Sequence, residues 1–418
     1  MAETITVGPS YGVSNDGTTP VNPQVQAILD SAGTGATIVF PPGRYLLTGL
    51  TLNKRLQLTG PGELVAGGVG GALINVAPTA SDTVIEGLRF AGNGSQRFID
   101  TPIPALPQPQ IGPARLTIRG NFFGRGAWYQ AIRIRYSLNP VVEGNRFEWS
   151  QVSQTGAESP ENANALLFIS GCTGPAVRGN HLTRTADMPA GNRGIVLLIC
   201  HDGQIVGNLL ESLQDSAGAP ATTPATGTSI QLWSATGSPV RGGVIAENVI
   251  VGGFGSQIYL KNEVLGTIIQ GNAIRSFDAN GNSGIMVTDG CDRTIISGNI
   301  VEGGVNASDG MVILPVDGTA PAFCVISANL VTGCRHGLRV TGEGHRVTDN
   351  ILRANRYQQY LLETNANAIH VYDNLFEQGG AGLGLPYGGN APNTNCVIRL
   401  VTNAGAQSYK VSPITGYP

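Results

Sequence analysis

The sequence predicts an all-β solenoid, a coil of short parallel strands stacked three to a turn. Three observations carry that prediction. An asparagine returns about every 28 residues, a β-branched residue always stands three places before it, and helical periodicity is missing. The asparagines are Asn121, Asn145, Asn180, Asn208, Asn248, Asn272, Asn299, Asn329, Asn350 and Asn374. Their apolar partners run from Ile118 and Val142 through Val347 and Val371. Two places after each stands Phe, Leu, Ile or Val, and Gly precedes six of the ten. One such unit cannot bury its own apolar face, but stacked units bury a continuous core. A helical repeat would instead place apolar residues at i, i+3, i+4 and i+7. The leucine-rich pattern fails as well, because Leu does not dominate.

Each part of the repeat has a physical reason. A tight bend between two strands needs a residue near the left-handed region, and this reading gives that conformation to the Asn. Strands stack about 4.8 Å apart, so identical amides fall within hydrogen-bonding reach and form a ladder. The stretch Gly284 to Val301, "GIMVTDGCDRTIISGNIV", then divides into three strands. They are "GIMVT", "TIIS" and, after the Gly-Asn bend, "NIV". The same layout recurs in "GIVLLICHDGQIVGNLL" and "GLRVTGEGHRVTDNIL". Upstream, "NPQVQAILDSAGTG" reads as a short capping helix. Asn22 is its N-cap, Pro23 suits the first position, Val25, Ile28 and Leu29 form one face, and Gly33 and Gly35 end it.

"YGVSNDGTT" (Tyr11 to Thr19), that helix, and "ATIVFPPGRYLLTGLTL" (Ala36 to Leu52) together resemble the opening segment of the pectate-lyase-like superfamily. Phage tailspike depolymerases and polygalacturonase-like enzymes share this opening. The strong match covers roughly 40 residues. One departure is Pro20-Val21-Asn22, where the family often has paired aspartates. The resemblance implies a right-handed, single-stranded parallel β-helix with an Asn ladder and an N-terminal capping helix. The expected division is residues 1–35 for the opening segment and cap, 36–376 for the β-helix, and 377–418 for a linker and small β cap or oligomerisation segment. The Pro-rich stretch Thr101 to Pro113 cannot pair in a central strand and should lie over the surface.

Composition narrows the function. Glycine is 59 of 418 residues and only 13% are charged, so turns are many and surface charge is sparse. Net charge is −3 and no basic run exists, which argues against nucleic acid as a partner. No apolar stretch approaches membrane-spanning length. The start, "MAETITVGPS", has neither a basic n-region nor an apolar h-region. The expectation is a protein that leaves its cell in a particle released by lysis, or a secreted one whose signal has been removed. No two of the six cysteines form a CxxC pair, and no His cluster has metal-ligand spacing. Neither a metal nor any other cofactor is therefore expected, and the thiols should be buried.

In this superfamily glycans lie along the first sheet, so the outward residues of strand one are the binding candidates. Alternation makes these Arg133 and Arg135, Leu167 and Ile169, Val196 and Leu198, Gln231 and Trp233, Tyr259 and Lys261, and so on to Leu361 and Glu363. Gln231, Trp233, Tyr259 and Lys261 mix aromatic faces with hydrogen-bonding groups and suit a sugar ring. Arg133 and Arg135 suit an acidic glycan. Candidate catalytic groups are Asp289 and Asp292 in the next turn, His201 with Asp202 in "CHDG", and Glu211 with Asp215 at the edge of the longest insertion. Each has a plainer reading. The aromatics could pack against a subunit or loop, and the aspartates could make local turn bonds. Long segments at Ser150 to Asn164, Thr183 to Arg193 and Glu211 to Thr228 should wall the sheet. The outward apolar residues should be covered by loops or by subunits, and a homotrimer would bury them around its axis. The polygalacturonase motifs are missing, so no catalytic residue is carried over. The resemblance implies a spike or tail protein of a phage-like particle that binds bacterial surface polysaccharide. The rivals are a free-standing lyase, glycoside hydrolase or epimerase, and a structural solenoid.

Overall fold

A computed structural model describes residues 3–93, 96–102, 111–124, 130–149, 165–184, 193–212, 228–235, 237–252, 255–277, 283–304, 309–362, 366–376, 396–402 and 405–411. The chain divides into two compact units, Met1–Thr222 and Thr223–Pro418.

In the first unit the Asn22–Ser31 helix buries Val25, Ile28 and Leu29 as its sequence predicts. It starts one residue earlier than expected. Val21 is the N-cap residue, and no side chain caps the helix. Asn22 instead turns its carboxamide oxygen to the backbone N–H groups of Thr48 (3.1 Å) and Gly49 (2.9 Å). Gln26 reaches the first strand of the front sheet, Leu50–Leu52. It accepts from Thr51 N–H at 2.9 Å and donates to Thr51 C=O at 3.0 Å. Its amide thus does for that strand what a neighbouring strand would do.

Coils follow, each with three strands. One runs through Ala165–Ser170, Ala176–Arg178 and His181–Arg184, and the next through Arg193–Leu198, Gln204–Val206 and Leu209–Ser212. Every strand pairs in parallel with its counterpart one coil on. Inside, Phe90, Phe123 and Phe147 stack with centroids 4.7 Å apart at each step. The residues three before each Asn, from Ile118 to Ile205, are fully buried.

The ladder forms as predicted. Asn145 Oδ1 accepts from the Asn121 backbone N–H at 3.0 Å and from its Nδ2 at 3.1 Å. Asn180 serves Asn145 in the same way, and Asn208 serves Asn180. In the second unit the chain of bonds runs from Asn248 through Asn272, Asn299, Asn329 and Asn350 to Asn374, with amide contacts of 2.8–2.9 Å. One expectation is corrected. The left-handed residue is the one before the Asn: Gly120, Gly144, Gly179, Gly207, Gly271 and Gly298, with φ between 59° and 65°. Glu247, Ala328, Asp349 and Asp373 hold the same conformation with φ of 54–58°. Glycine is common there because a Cβ is disfavoured at positive φ.

The second unit repeats the coil in, for example, Ser283–Val287, Ile295–Ser297 and Ile300–Gly303. It ends in a hairpin, Cys396–Thr402 with Gly405–Val411, whose first strand pairs in parallel with His370–Phe376.

Register also corrects the face of one strand. Ile132 aligns with Leu167, and Arg133 with Phe168. Leu167 and Ile169 therefore point inward, while Phe168 and Ser170 take the outward places. The outward apolar residues of strand one are not an exposed strip. Phe168, Val196, Leu198 and Val312 are all buried. Exposed apolar residues stand instead on strands two and three of the second unit, where Val249, Ile295 and Ile351 are 37–39% exposed.

Candidate functional site

The constellation with the most varied chemistry lies on the front sheet of the second unit. Strands Ile230–Trp233 and Ile258–Lys261 align Gln231 with Tyr259 and Trp233 with Lys261. Parallel stacking puts the two aromatic residues on consecutive coils, about 4.8 Å apart along the stack. Trp233, Tyr259 and Lys261 are half-buried, whereas Gln231 is sunk below the surface and takes a bond from the Thr228 hydroxyl. Trp233 Nε1 is buried and has no hydrogen-bond partner among the described residues. Lys261 Nζ stands 3.4 Å from Asp317 Oδ2, and Asp317 is largely exposed. Burial, with the Asp289 carboxylate adding to it, pushes the Tyr259 phenol above its ordinary value, and a bond with Thr288 offsets part of that. Tyr259 is therefore a neutral hydrogen-bonding ring at neutral pH.

Asp289 and Asp292 build the wall of this shelf. Asp289 Oδ1 accepts three backbone N–H bonds, from Val316 (2.8 Å), Asp317 (3.0 Å) and Gly318 (3.0 Å). That anchors the turn carrying Asp317 beside Lys261. Asp289 itself is 4% exposed, and its Oδ2 is buried without a hydrogen-bond partner among the described residues. Asp292 Oδ1 takes the Ala322 N–H at 2.8 Å. Glu263, one coil before, holds Gly237 N–H at 2.9 Å.

The other candidates lie in the first unit. Arg133 forms a bidentate pair with Asp100, at 2.8 and 2.5 Å, and Arg135 Nη2 reaches the same carboxylate at 3.4 Å. The arginine side chains are only 12% and 16% exposed. Burial pushes the Arg135 guanidinium below its ordinary value, with Asp100 opposing. An acidic glycan would have to compete with Asp100 for both groups.

His201 and Asp202 sit at the first bend of their coil. There His201 bridges to Thr173, and Asp202 is left-handed at φ 56°. Glu211 belongs to strand three of that coil, so the structure does not bring it to the His201–Asp202 bend. Asp215 lies outside the described residues, as do 150–164, 185–192 and 213–227, most of the expected walls.

Glu211 has a partner the sequence did not suggest. His181 Nε2 lies 2.7 Å from Glu211 Oε2, and the Thr183 hydroxyl is 3.2 Å from the same nitrogen. Both members of the pair are about one-third exposed. Their contact crosses one coil, because Thr183 aligns with Glu211. A usable signal was the position of His181, directly after its ladder Asn. Among the described residues no three His, Cys, Asp or Glu side chains converge as a metal site requires.

No protein-family model matches this chain, and no curated protein matches its sequence. Solved structures do match in shape. The A-module of mannuronan C-5 epimerase AlgE4 from Azotobacter vinelandii superposes with a TM-score of 0.58 at 15% identity, over 93% of this chain and 98% of that one. The AlgE6 A-module from the same organism gives 0.57 at 14%, over 95% and 99%. Tailspike protein 3 of bacteriophage CBA120 gives 0.52 at 11%, over 96% of this chain and 58% of the tailspike. The fold is a right-handed parallel β-helix. In this β-helix the shelf of Trp233, Tyr259 and Lys261 occupies the outer face of strand one, and the His181–Glu211 pair occupies the outer face of strand three.

Proposed function

We propose that this β-helix is a glycan-recognising spike or tail protein of a phage or phage-like particle, trimeric, and that it binds bacterial surface polysaccharide on the shelf of the second unit. The observation that carries the reading is the shelf itself. Two aromatic side chains on successive coils offer apolar faces to successive parts of a sugar chain. Lys261 supplies a donor for its hydroxyl or carboxylate oxygens. The likeness to two mannuronan epimerase modules and a phage tailspike supports a polysaccharide partner. A second reading, that the protein also cleaves or epimerises the polymer, is favoured by the His181–Glu211 pair. A histidine hydrogen-bonded to a carboxylate has the geometry to pass a proton to or from a bound polymer.

Titration with a panel of capsular and acidic bacterial polysaccharides, read by tryptophan fluorescence, tests the first reading. Trp233→Ala and Tyr259→Ala should each weaken binding by about tenfold. Lys261→Ala should flatten the salt dependence for an acidic polymer. Unchanged affinity in both aromatic variants removes the shelf as the site. Light scattering after size exclusion should give three chains per particle, and a monomer sinks the spike arrangement. Reducing ends or unsaturated products that vanish in Glu211→Gln would establish catalysis. Their absence with every polymer bound excludes cleavage, and unchanged sugar stereochemistry by proton NMR then leaves a binder only.

A further inference from the structure

Among the described residues five cysteines are buried free thiols, and two of them stack coil on coil. Cys172 and Cys200 stand on consecutive coils at the same place in the first bend. Register fixes this: Thr173 bridges to His201 in parallel, and the His201 N–H donates to the Cys172 carbonyl at 3.0 Å. The two side chains take equivalent positions. Cys172 Sγ lies 3.4 Å from Ser170 O, and Cys200 Sγ lies 3.4 Å from Leu198 O, each two residues back along its own chain. Both therefore point into the coil, one stacked on the other a coil apart. The remaining pairs differ. Cys291 and Cys324 occupy different places in their coils, so Cys324 Sγ approaches the Cys291 carbonyl, at 3.8 Å, rather than its sulfur.

We infer that Cys172 and Cys200 form a coil-to-coil disulfide when the protein meets an oxidising, extracellular environment. Directly stacked residues have Cα atoms about 4.8 Å apart, inside the 4.4–6.8 Å window that disulfides occupy. Their Cβ atoms start slightly beyond the usual separation of about 3.8 Å, so closure draws the two bends together by a small amount. The Ser137 N–H, which donates to Cys172 Sγ at 3.2 Å, keeps an acceptor in the disulfide sulfur. The chemistry is thiol–disulfide exchange with a small disulfide such as oxidised glutathione. One protein thiolate attacks the reagent and releases one reduced thiol. The second protein thiolate then displaces the other. The reagent takes two electrons, two protons leave the protein, and one S–S bond forms. Burial holds the Cys200 thiol well above its ordinary range, so the thiolate fraction is small and oxidation is slow. The link would close the chain between positions 172 and 200, which includes the insertion at 185–192, and would remove freedom from the unfolded state.

Incubation of the full chain with oxidised glutathione, followed by intact mass and peptide mapping under non-reducing conditions, tests this. The expected product is two mass units lighter and yields one cross-linked peptide pair, containing Cys172 and Cys200. Its Tm should rise by roughly 5–10 °C and fall back on reduction. Cys172→Ser and Cys200→Ser should abolish the link. The double variant Cys291→Ser, Cys324→Ser should keep it, which separates loss of the bond from loss of the fold. A protein that stays fully reduced through prolonged oxidation, or accumulates only glutathione adducts, overturns the inference. So does a cross-link that joins any other pair.

Discussion

The two units have interiors of the same kind and differ outside. In the first, the outward column two residues before the ladder Asn carries Arg119, Glu143 and Arg178, with Glu86 aligned one coil before Arg119 and uncharged Val206 one coil after Arg178. Opposite charges alternate there, with Arg119 2.6 Å from Glu86 and Arg178 3.9 Å from Glu143. The same column of the second unit reads Ala246, Gln270, Ser297, Ser327 and Thr348, with no charge. One place after the Asn, the second unit presents Val249, Ala273, Ile300, Leu330 and Ile351, where the first presents Phe122, Arg146, His181 and Leu209. Inside, both have the same ladder and the same stacked β-branched residues. The interior must repeat because each amide is completed by its copy. The exterior answers to nothing but water or a partner, so it is where the two units have diverged.

The sharpest test of that contrast is the ladder. Asn299→Ala removes the acceptor for the Asn272 N–H and amide, and its own bonds to Ile269, Ser297 and Asn329. Asn145→Ala does the same in the first unit. Each should cost about 3 kcal/mol or more by chemical denaturation, because buried polar groups are left unpaired. Glu143→Ala, in the outer charge column, should change stability by no more than about 0.5 kcal/mol. Equal costs inside and outside would break the comparison.

Acid should separate the units next. In the second unit His345 is fully buried, with Nδ1 accepting from Cys324 N–H at 3.0 Å and Nε2 facing Thr341 O at 2.9 Å. Burial holds it down to about 4 from an ordinary 6.5, the carbonyls of Thr341 and Pro321 opposing. Between those values the unfolded chain binds the proton and the folded chain does not. Stability therefore falls as pH drops from 6.5 to 4, by about 3 kcal/mol in all. Denaturation curves of His345→Gln should lose that slope. A slope unchanged in the variant would assign it elsewhere.

The smallest effect concerns the bend. Ala328 holds φ 54° where six coils use glycine. Ala328→Gly should stabilise by about 0.5–1 kcal/mol, measured by the denaturation midpoint, and Gly298→Ala should destabilise by a similar amount. No change in either would mean that the neighbouring strands, not the residue, set the conformation.

Much of this was legible in the chain. The ladder could be read because a requirement repeated ten times leaves a statistical mark. The left-handed residue was one place off, because Asn and Gly both tolerate positive φ and the pattern contains both. The face of Leu167 was misread because "ALLFIS" is apolar throughout, and alternation has nothing to grip there. Asp289 was visible as a turn residue, but its three bonds reach 27–29 residues ahead. The His181–Glu211 pair spans 30 residues and one coil. Such contacts depend on register, which insertions of unequal length conceal.

The glutamine that grips Thr51 has a consequence for how many molecules can join. A bare first strand would accept another chain as readily as it accepts its own next coil, and growth would continue without limit. Gln26 occupies that strand's hydrogen-bonding groups with a side chain that offers no further edge. The helix thus keeps a self-templating architecture from lengthening into a fibre from that strand.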